Sequence, residues 1–246
     1  MPDHPCAAVV TGAARGLGLA VATQLLQAGN RVTLVDIDGG LLERARPDQG
    51  ETQLIAADLG ESSECDRVIA ESVERWGGVD VLINCAAILQ RVDFDDIDEA
   101  VFARIFNINV RSVFWLCRAA VADMQKRGWG RIVNTTSVGI HTGGYSISSA
   151  VYEATKGAVH NFTKTLSRHV AKDGILVNSV APGGMRTRML TDQTPPQLLA
   201  EVEKDIPLGR LAEPEEVASM IVYLASARNT YATGGSFDVN AGVAMS

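Results

Sequence analysis

A short apolar run at residues 7–11 leads without a linker into Thr11-Gly12-Ala13-Ala14-Arg15-Gly16-Leu17-Gly18. Residues 17–28 then carry helical spacing and stop at Gly29-Asn30. A strand, a glycine turn and a helix in that order leave few folds open. The turn lies where a strand ends and a helix begins, which is where backbone amides are free to meet an anion. Gly12 permits a tight turn, and Gly16, Leu17 and Gly18 let the helix start approach a pyrophosphate.

The same alternation continues to the end of the chain. Strand-like runs fall at 31–36, 53–57, 79–84, 131–136, 175–180 and 236–239. Helical stretches fall between them at 39–46, 61–76, 96–107, 109–127, 150–172 and from Pro214 to about 225. Strands such as Val-Leu-Ile are apolar on both sides, which fits a parallel sheet covered on both faces. The expected fold is α/β, a Rossmann-type doubly wound parallel sheet of about seven strands with helices on both faces. No repeat or linker divides residues 1–246, so one dinucleotide-binding domain is expected, with a mobile lid at 188–210 around Pro195-Pro196.

Composition narrows the partners. The net charge is −7 and Lys and Arg do not cluster, which argues against nucleic acid. Cys6, Cys65, Cys85 and Cys117 are scattered with no metal-type spacing, so reduced thiols and no metal are expected. Met1-Pro2-Asp3-His4-Pro5 lacks the basic start and apolar run of a signal peptide. No apolar stretch approaches the length of a bilayer span. The expectation is a soluble cytoplasmic protein with no membrane partner.

Asp36 ends the second strand, 18 residues after Gly18. A carboxylate there can accept both hydroxyls of an adenosine ribose and repels a 2′-phosphate, which favours NAD over NADP. Arg15 is a competing signal, since a guanidinium in the turn can bind that phosphate. Asp58, followed by Leu59, either meets the adenine edge or caps the helix that starts near 61.

Tyr152 and Lys156 are four residues apart, so a phenol and an ammonium share one helix face. Ser137 ends an apolar run upstream, and Asn109 lies further upstream in a helical segment. Tyr, Lys, Ser and Asn together suit proton transfer with polarisation of a carbonyl. The ammonium is expected to lower the phenol pKa toward neutrality.

With these residues in place, the sequence resembles the short-chain dehydrogenase/reductase family along essentially its whole length. Thr-Gly-x-x-x-Gly-x-Gly stands at 11–18, Asp-Leu at 58–59, Asn at 109, Ser at 137, Tyr-x-x-x-Lys at 152–156, and Asn178 with Pro182-Gly183 and Thr187 after the sixth strand. The resemblance implies an NAD-dependent oxidoreductase that interconverts a secondary alcohol and a ketone. Asn109, Ser137, Tyr152 and Lys156 would be catalytic, with Asn109 holding a water beside Lys156. Asn84, Ala86, Val110, Pro182, Gly183 and Thr187 would lie along the cofactor. The assembly would be a homotetramer built partly on the helices at 109–127 and 150–172. An NADPH-preferring ketone reductase, and a non-catalytic dinucleotide-sensing protein, are the alternatives.

Three features depart from the family pattern. Asn84-Cys85-Ala86-Ala87 replaces Asn-Asn-Ala-Gly. Asn240-Ala241-Gly242 stands for an Asp-Gly-Gly type ending. The Ser137–Tyr152 connector is about two residues longer than usual. That connector is expected to line the substrate pocket, where His141 and Tyr145 either touch substrate or are plain loop residues. Met185, Met189 and Leu190 suit either a pocket wall or core packing.

Overall fold

The computed structural model describes residues 5–144, 146–192, 194 and 196–245. The apolar runs form β1 (Ala7–Thr11), β2 (Arg31–Asp36), β3 (Thr52–Ala56), β4 (Val81–Asn84), β5 (Gly130–Thr135), β6 (Ile175–Pro182) and β7 (Ser236–Val239). The helices between them are α1 (Gly16–Gln27), α2 (Gly39–Ala45), α3 (Ser62–Trp76), α4 (Glu99–Phe106), α5 (Ser112–Arg127), α6 (Gly139–Thr142), α7 (Ala150–Val170), α8 (Arg188–Thr191), α9 (Pro196–Asp205) and α10 (Pro214–Ala225). All strand pairs are parallel, in the order β3-β2-β1-β4-β5-β6-β7.

Alternate residues of each strand feed two cores. Ala8 and Val10 of β1 join α1, α2 and α10 on one face. Val9 joins α3, α5 and α7 on the other. Both faces are covered, so the central strands carry continuous apolar runs such as Val81-Leu82-Ile83 and Ile132-Val133, with polar residues mainly toward their ends. The order reverses between β1 and β4, and there Thr11 pairs with Asn84 at the carboxyl ends of the two strands. A crevice opens above that reversal, the place where doubly wound sheets bind ligands.

Two expectations need correction. Residues 96–107 and 109–127 do not form separate helices. α4 runs through a π turn at Asn107–Arg111 straight into α5. The result is one helix, Glu99–Arg127, of 29 residues, long and apolar enough by length and composition to cross a membrane. The sequence reading divided this stretch and so found no such span. In this fold its apolar stripe, including Val113, Leu116, Cys117 and Met124, packs on the sheet.

Between β6 and α10 the chain makes its longest excursion. Met185 bridges Ala212, Arg186 N–H donates to Ala212 O (2.9 Å), and Ala212 N–H donates to Gly184 O (3.0 Å). The excursion therefore leaves and returns at one tied point, with α8 and α9 between.

Candidate active site

The crevice is a cavity of about 950 Å³ that runs from the glycine turn past β4 and β5 to α7 and α8. At one end, Gly12 and Gly16 hold φ of +66° and +54°, where side chains strain the backbone. A Cβ on Gly12 would lie 2.9 Å from Ala86 Cα, so the first glycine lets the turn pass close over the β4 exit. A Cβ on Gly18 would lie 2.2 Å from Gly12 O. Gly18 is therefore needed for helix–turn packing, and it also lines the cavity. Thr11 Oγ1 accepts Cys85 N–H and Ala86 N–H, both at 3.1 Å, and so pins the two loops together.

The start of α1 is left open. Its N-cap, Arg15, makes no side-chain cap bond, and its first turn carries no acid. By contrast, Asp38 caps α2, Asp98 caps α4, and a Glu213–Glu216 capping box closes α10. An uncapped twelve-residue helix facing a cavity offers free N–H groups and a positive dipole end to an anion. Asp36 lines the cavity beside it, accepting Ala14 N–H at 3.1 Å and Asp38 N–H at 3.3 Å. Each oxygen keeps a lone pair for a further donor. Arg15 is exposed, lines the cavity and has no ion-pair partner among the described residues. These features fit a dinucleotide: the α1 start would hold its pyrophosphate and Asp36 its adenosine ribose.

Leu17, Leu59, Ala86, Pro182, Gly183 and Thr187 also line the cavity. Asp58 lines it too, and its Oδ1 accepts Gly60 N–H at 2.9 Å. It does not cap α3, whose N-cap is Glu61. Asn84 and Val110 do not reach the lining. Asn84 Nδ2 donates to Asn134 Oδ1 (2.8 Å), and Asn134 Nδ2 donates to Thr163 Oγ1 (2.9 Å), an amide ladder beneath the floor. Val110 packs against the second core. Ala87 lines the cavity with an ordinary backbone, because Ala241 is the single non-glycine residue at positive φ among those described.

At the other end, Ser137, Tyr152 and Lys156 share the cavity wall. Ser137 Oγ accepts Gly139 N–H at 3.0 Å. Lys156 is 3% exposed, and its Nζ donates to Thr135 O at 2.8 Å. Burial lowers its pKa to about 8, against the pull of Cys85 and Glu153. The expected lowering of the phenol does not occur in the protein alone. Burial, and then the Glu153 carboxylate, push Tyr152 well above the usual phenol range. Lys156 Nζ stands 5.4 Å from the ring centroid and does not offset them.

Asn109 lies in the π turn and is 1% exposed. It accepts Ile88 N–H (2.8 Å) and donates to Ile88 O (2.9 Å) and Thr155 Oγ1 (3.1 Å). It thus ties the β4 exit loop to the residue before Lys156 and does not itself line the cavity. Met189 lines the cavity from α8. His141 does not; its Nε2 sits 3.0 Å from Asp238 Oδ1. Tyr145 lies outside the described residues. Thr135, Asn134, Thr155 and Glu153 escaped sequence reasoning, since nothing in the linear pattern separates them from ordinary strand and helix residues.

Comparison with known proteins follows the same lines. The family described as "Enoyl-(Acyl carrier protein) reductase" matches residues 12–244. A 2,3-dihydroxy-2,3-dihydro-p-cumate dehydrogenase of Pseudomonas putida is 36% identical over 100% of this chain and 96% of its own length. A 2-dehydro-3-deoxy-L-rhamnonate dehydrogenase (NAD(+)) of Sphingomonas sp. is 33% identical, over 96% of this chain and 94% of its own. The crystal structure of a 3-ketoacyl-(acyl-carrier-protein) reductase from Brucella melitensis, complexed with NADH, superposes with a TM-score of 0.91 at 27% identity, covering 98% of this chain and 99% of that one. On matches that span nearly its whole length, this chain belongs to the short-chain dehydrogenase/reductase family and is an NAD(P)-dependent oxidoreductase.

Proposed function

We propose that the protein is an NAD-dependent dehydrogenase that interconverts a secondary alcohol and a ketone, with Asn109, Ser137, Tyr152 and Lys156 as its working set. The observation that carries this reading is the single cavity that joins Ser137, Tyr152 and Lys156 to the open start of α1 and to Asp36. When bound, the dinucleotide supplies the hydride donor or acceptor and, oxidised, a positive ring beside the phenol. Tyr152 takes the proton of an alcohol or gives one to a ketone. Ser137 Oγ holds the same substrate oxygen, with its own orientation set by Gly139 N–H. Lys156 binds ribose hydroxyls and supports the phenolate once the oxidised ring is present. Asn109 acts from behind the wall by fixing the Ile88 loop and Thr155.

NAD is the preferred cofactor in this reading. Asp36 receives ribose hydroxyls, and a 2′-phosphate there would oppose like charges. The names of two relatives support it, one carrying NAD(+) and one a complex with NADH. The NADPH alternative rests on Arg15, an exposed side chain free to swing into solvent. The tied excursion at 188–210 acts as a lid over the substrate, with Met189 on its inner side.

The chain also assembles as a homotetramer in this reading. Phe102 and Phe114 are exposed, and Phe114 packs on Trp115 and Phe162, so the outer faces of the long helix and α7 present aromatic surface. Light scattering at micromolar concentration that gave only monomer would remove the tetramer. A screen of alcohols and ketones with NAD and NADP, following reduced-nicotinamide absorbance, tests the activity. Equal use of both cofactors, or an NADP preference, would overturn the cofactor assignment.

A further inference from the structure

Glu153 follows Tyr152 on the first turn of α7. Helical side chains lean toward the N-terminus, so this one reaches back over the Ser137–Tyr152 connector. It does not line the cavity. Instead it occupies a slot made by two glycines. A Cβ on Gly139 would lie 1.8 Å from Glu153 Oε2, and a Cβ on Gly144 would lie 2.7 Å from Oε1. Gly144 has φ +84°, which by itself asks for glycine. Gly139 is not at positive φ, so what its missing side chain provides is room for the carboxylate. The same Gly139 donates its N–H to Ser137 Oγ. One residue thus backs the serine and admits the acid.

Four groups face the carboxylate. The Ser137 hydroxyl comes from the end of β5, Arg91 from the loop after β4, and Lys156 and Tyr152 from α7 itself. Burial raises the Glu153 carboxyl, while Lys156, Ser137 and Arg91 hold it down. Oε2 is buried with no hydrogen-bond partner among the described residues, and so is Arg91 Nε. An acid placed this way is costly.

We propose that Glu153 is a positioning residue: seated behind Ser137 in the Gly139–Gly144 slot, it orients the serine hydroxyl and sets the field at Tyr152, and so fixes the pH range in which the site accepts a proton from an alcohol. A negative charge beside a phenol opposes its ionisation. Removing that charge without changing the shape therefore lets Tyr152 act as a base at lower pH. The inference rests on the proton-transfer role given to Tyr152 above.

The test is the pH profile of kcat/KM for alcohol oxidation, in wild type and in Glu153→Gln, with circular dichroism to verify folding. The rising limb should move to lower pH by about 0.5–1 unit in the variant. A second variant, Gly139→Ala with Glu153→Ala, fills the slot with a methyl group, and its limb should move the same way. If the profile of either folded variant overlays that of wild type, the positioning role is wrong while the role of Tyr152 stands. A wild-type enzyme with no pH-dependent turnover on any alcohol would defeat both together.

Discussion

The two ends of the parallel sheet treat buried charge in opposite ways. At the amino end, Asp80 is 2% exposed and fully engaged. It accepts Ala7 N–H at 2.8 Å and pairs with Arg127, which also meets Asp123 at 2.8 Å. Asp123 in turn accepts Val79 N–H at 2.9 Å. Arg131, 5% exposed, gives its terminal nitrogens to three carbonyls, those of Gly130, Gly174 and Asn229. At the carboxyl end, the α1 start has no cap, Lys156 is buried on one carbonyl, and Asn84 Oδ1 and Glu153 Oε2 have no hydrogen-bond partner among the described residues. One end turns most of its charged groups to cohesion, although Arg131 Nε there is buried without a hydrogen-bond partner among the described residues. The other leaves several short of partners, and of these the α1 start and Lys156 open on the cavity, where a ligand can supply them.

The largest effect that would break this contrast is on rate. Tyr152→Phe deletes the proton and keeps the ring, so turnover should fall at least a hundredfold, about 2.7 kcal/mol of barrier, while cofactor still binds. Steady-state kinetics with nicotinamide fluorescence checks both halves. A residual rate above about a tenth of wild type would take Tyr152 out of the chemistry.

At the amino end, the corresponding loss is in stability. Asp80→Ala leaves Ala7 N–H and the half-screened Arg127 without their acceptor. It should cost about 2–3 kcal/mol in urea unfolding, with kcat per folded molecule unchanged. A cost under about 0.5 kcal/mol would mean that the amino-end network is ornamental.

Lys156 should behave in the reverse sense. Its pKa is lowered to about 8 in the folded chain against 10.5 unfolded. Below pH 8 both states hold the proton and burial of the charge is a constant cost. Between pH 8 and 10.5 the unfolded state binds more protons, so the stability of the cofactor-free chain rises with pH. Lys156→Met should gain about 1–2 kcal/mol at pH 7, lose that pH slope and lose activity. A destabilised variant would place Lys156 with the cohesive charges.

Asp36→Ala probes the cofactor side. We expect wild type to prefer NAD by at least tenfold in kcat/KM, about 1.4 kcal/mol, and the variant to narrow that gap as Arg15 begins to help NADP. An unchanged ratio would show that the preference lies elsewhere. The smallest effect concerns Ala241, held at φ +57° beside Asn240, whose Cα would stand 2.9 Å from a Cβ on Gly183. Ala241→Gly should raise stability by about 0.5–1 kcal/mol on thermal melting, because glycine relieves the left-handed backbone.

Much of this contrast can be read in the linear chain. Continuous apolar strands such as Val81-Leu82-Ile83 announce burial on both faces, and Gly12 and Gly16 announce left-handed turns. Tyr152 and Lys156 announce a shared helix face by spacing alone. What stayed hidden depends on distance across the fold. The role of Gly139 needs Glu153 placed against it, and the Asn84–Asn134–Thr163 ladder joins three separate elements. The direction of the Tyr152 shift needs its burial, which overrides the ammonium four residues on. The π turn is hidden because it changes hydrogen-bond register without breaking the apolar stripe.

That turn at Asn107–Arg111 has a consequence for chain length. A π turn takes in one residue more than an α turn. Deleting one residue there would restore a regular ladder with little change of heading, because the wider turn takes up its extra residue within about one turn. A single deletion further along α5 would instead swing everything upstream by about 100°, and Asn109 would lose Ile88 and Thr155 at once, with the helix intact. The helix therefore carries its count of residues as a functional quantity on either side of the turn, and a one-residue deletion should disturb its faces least within the turn itself.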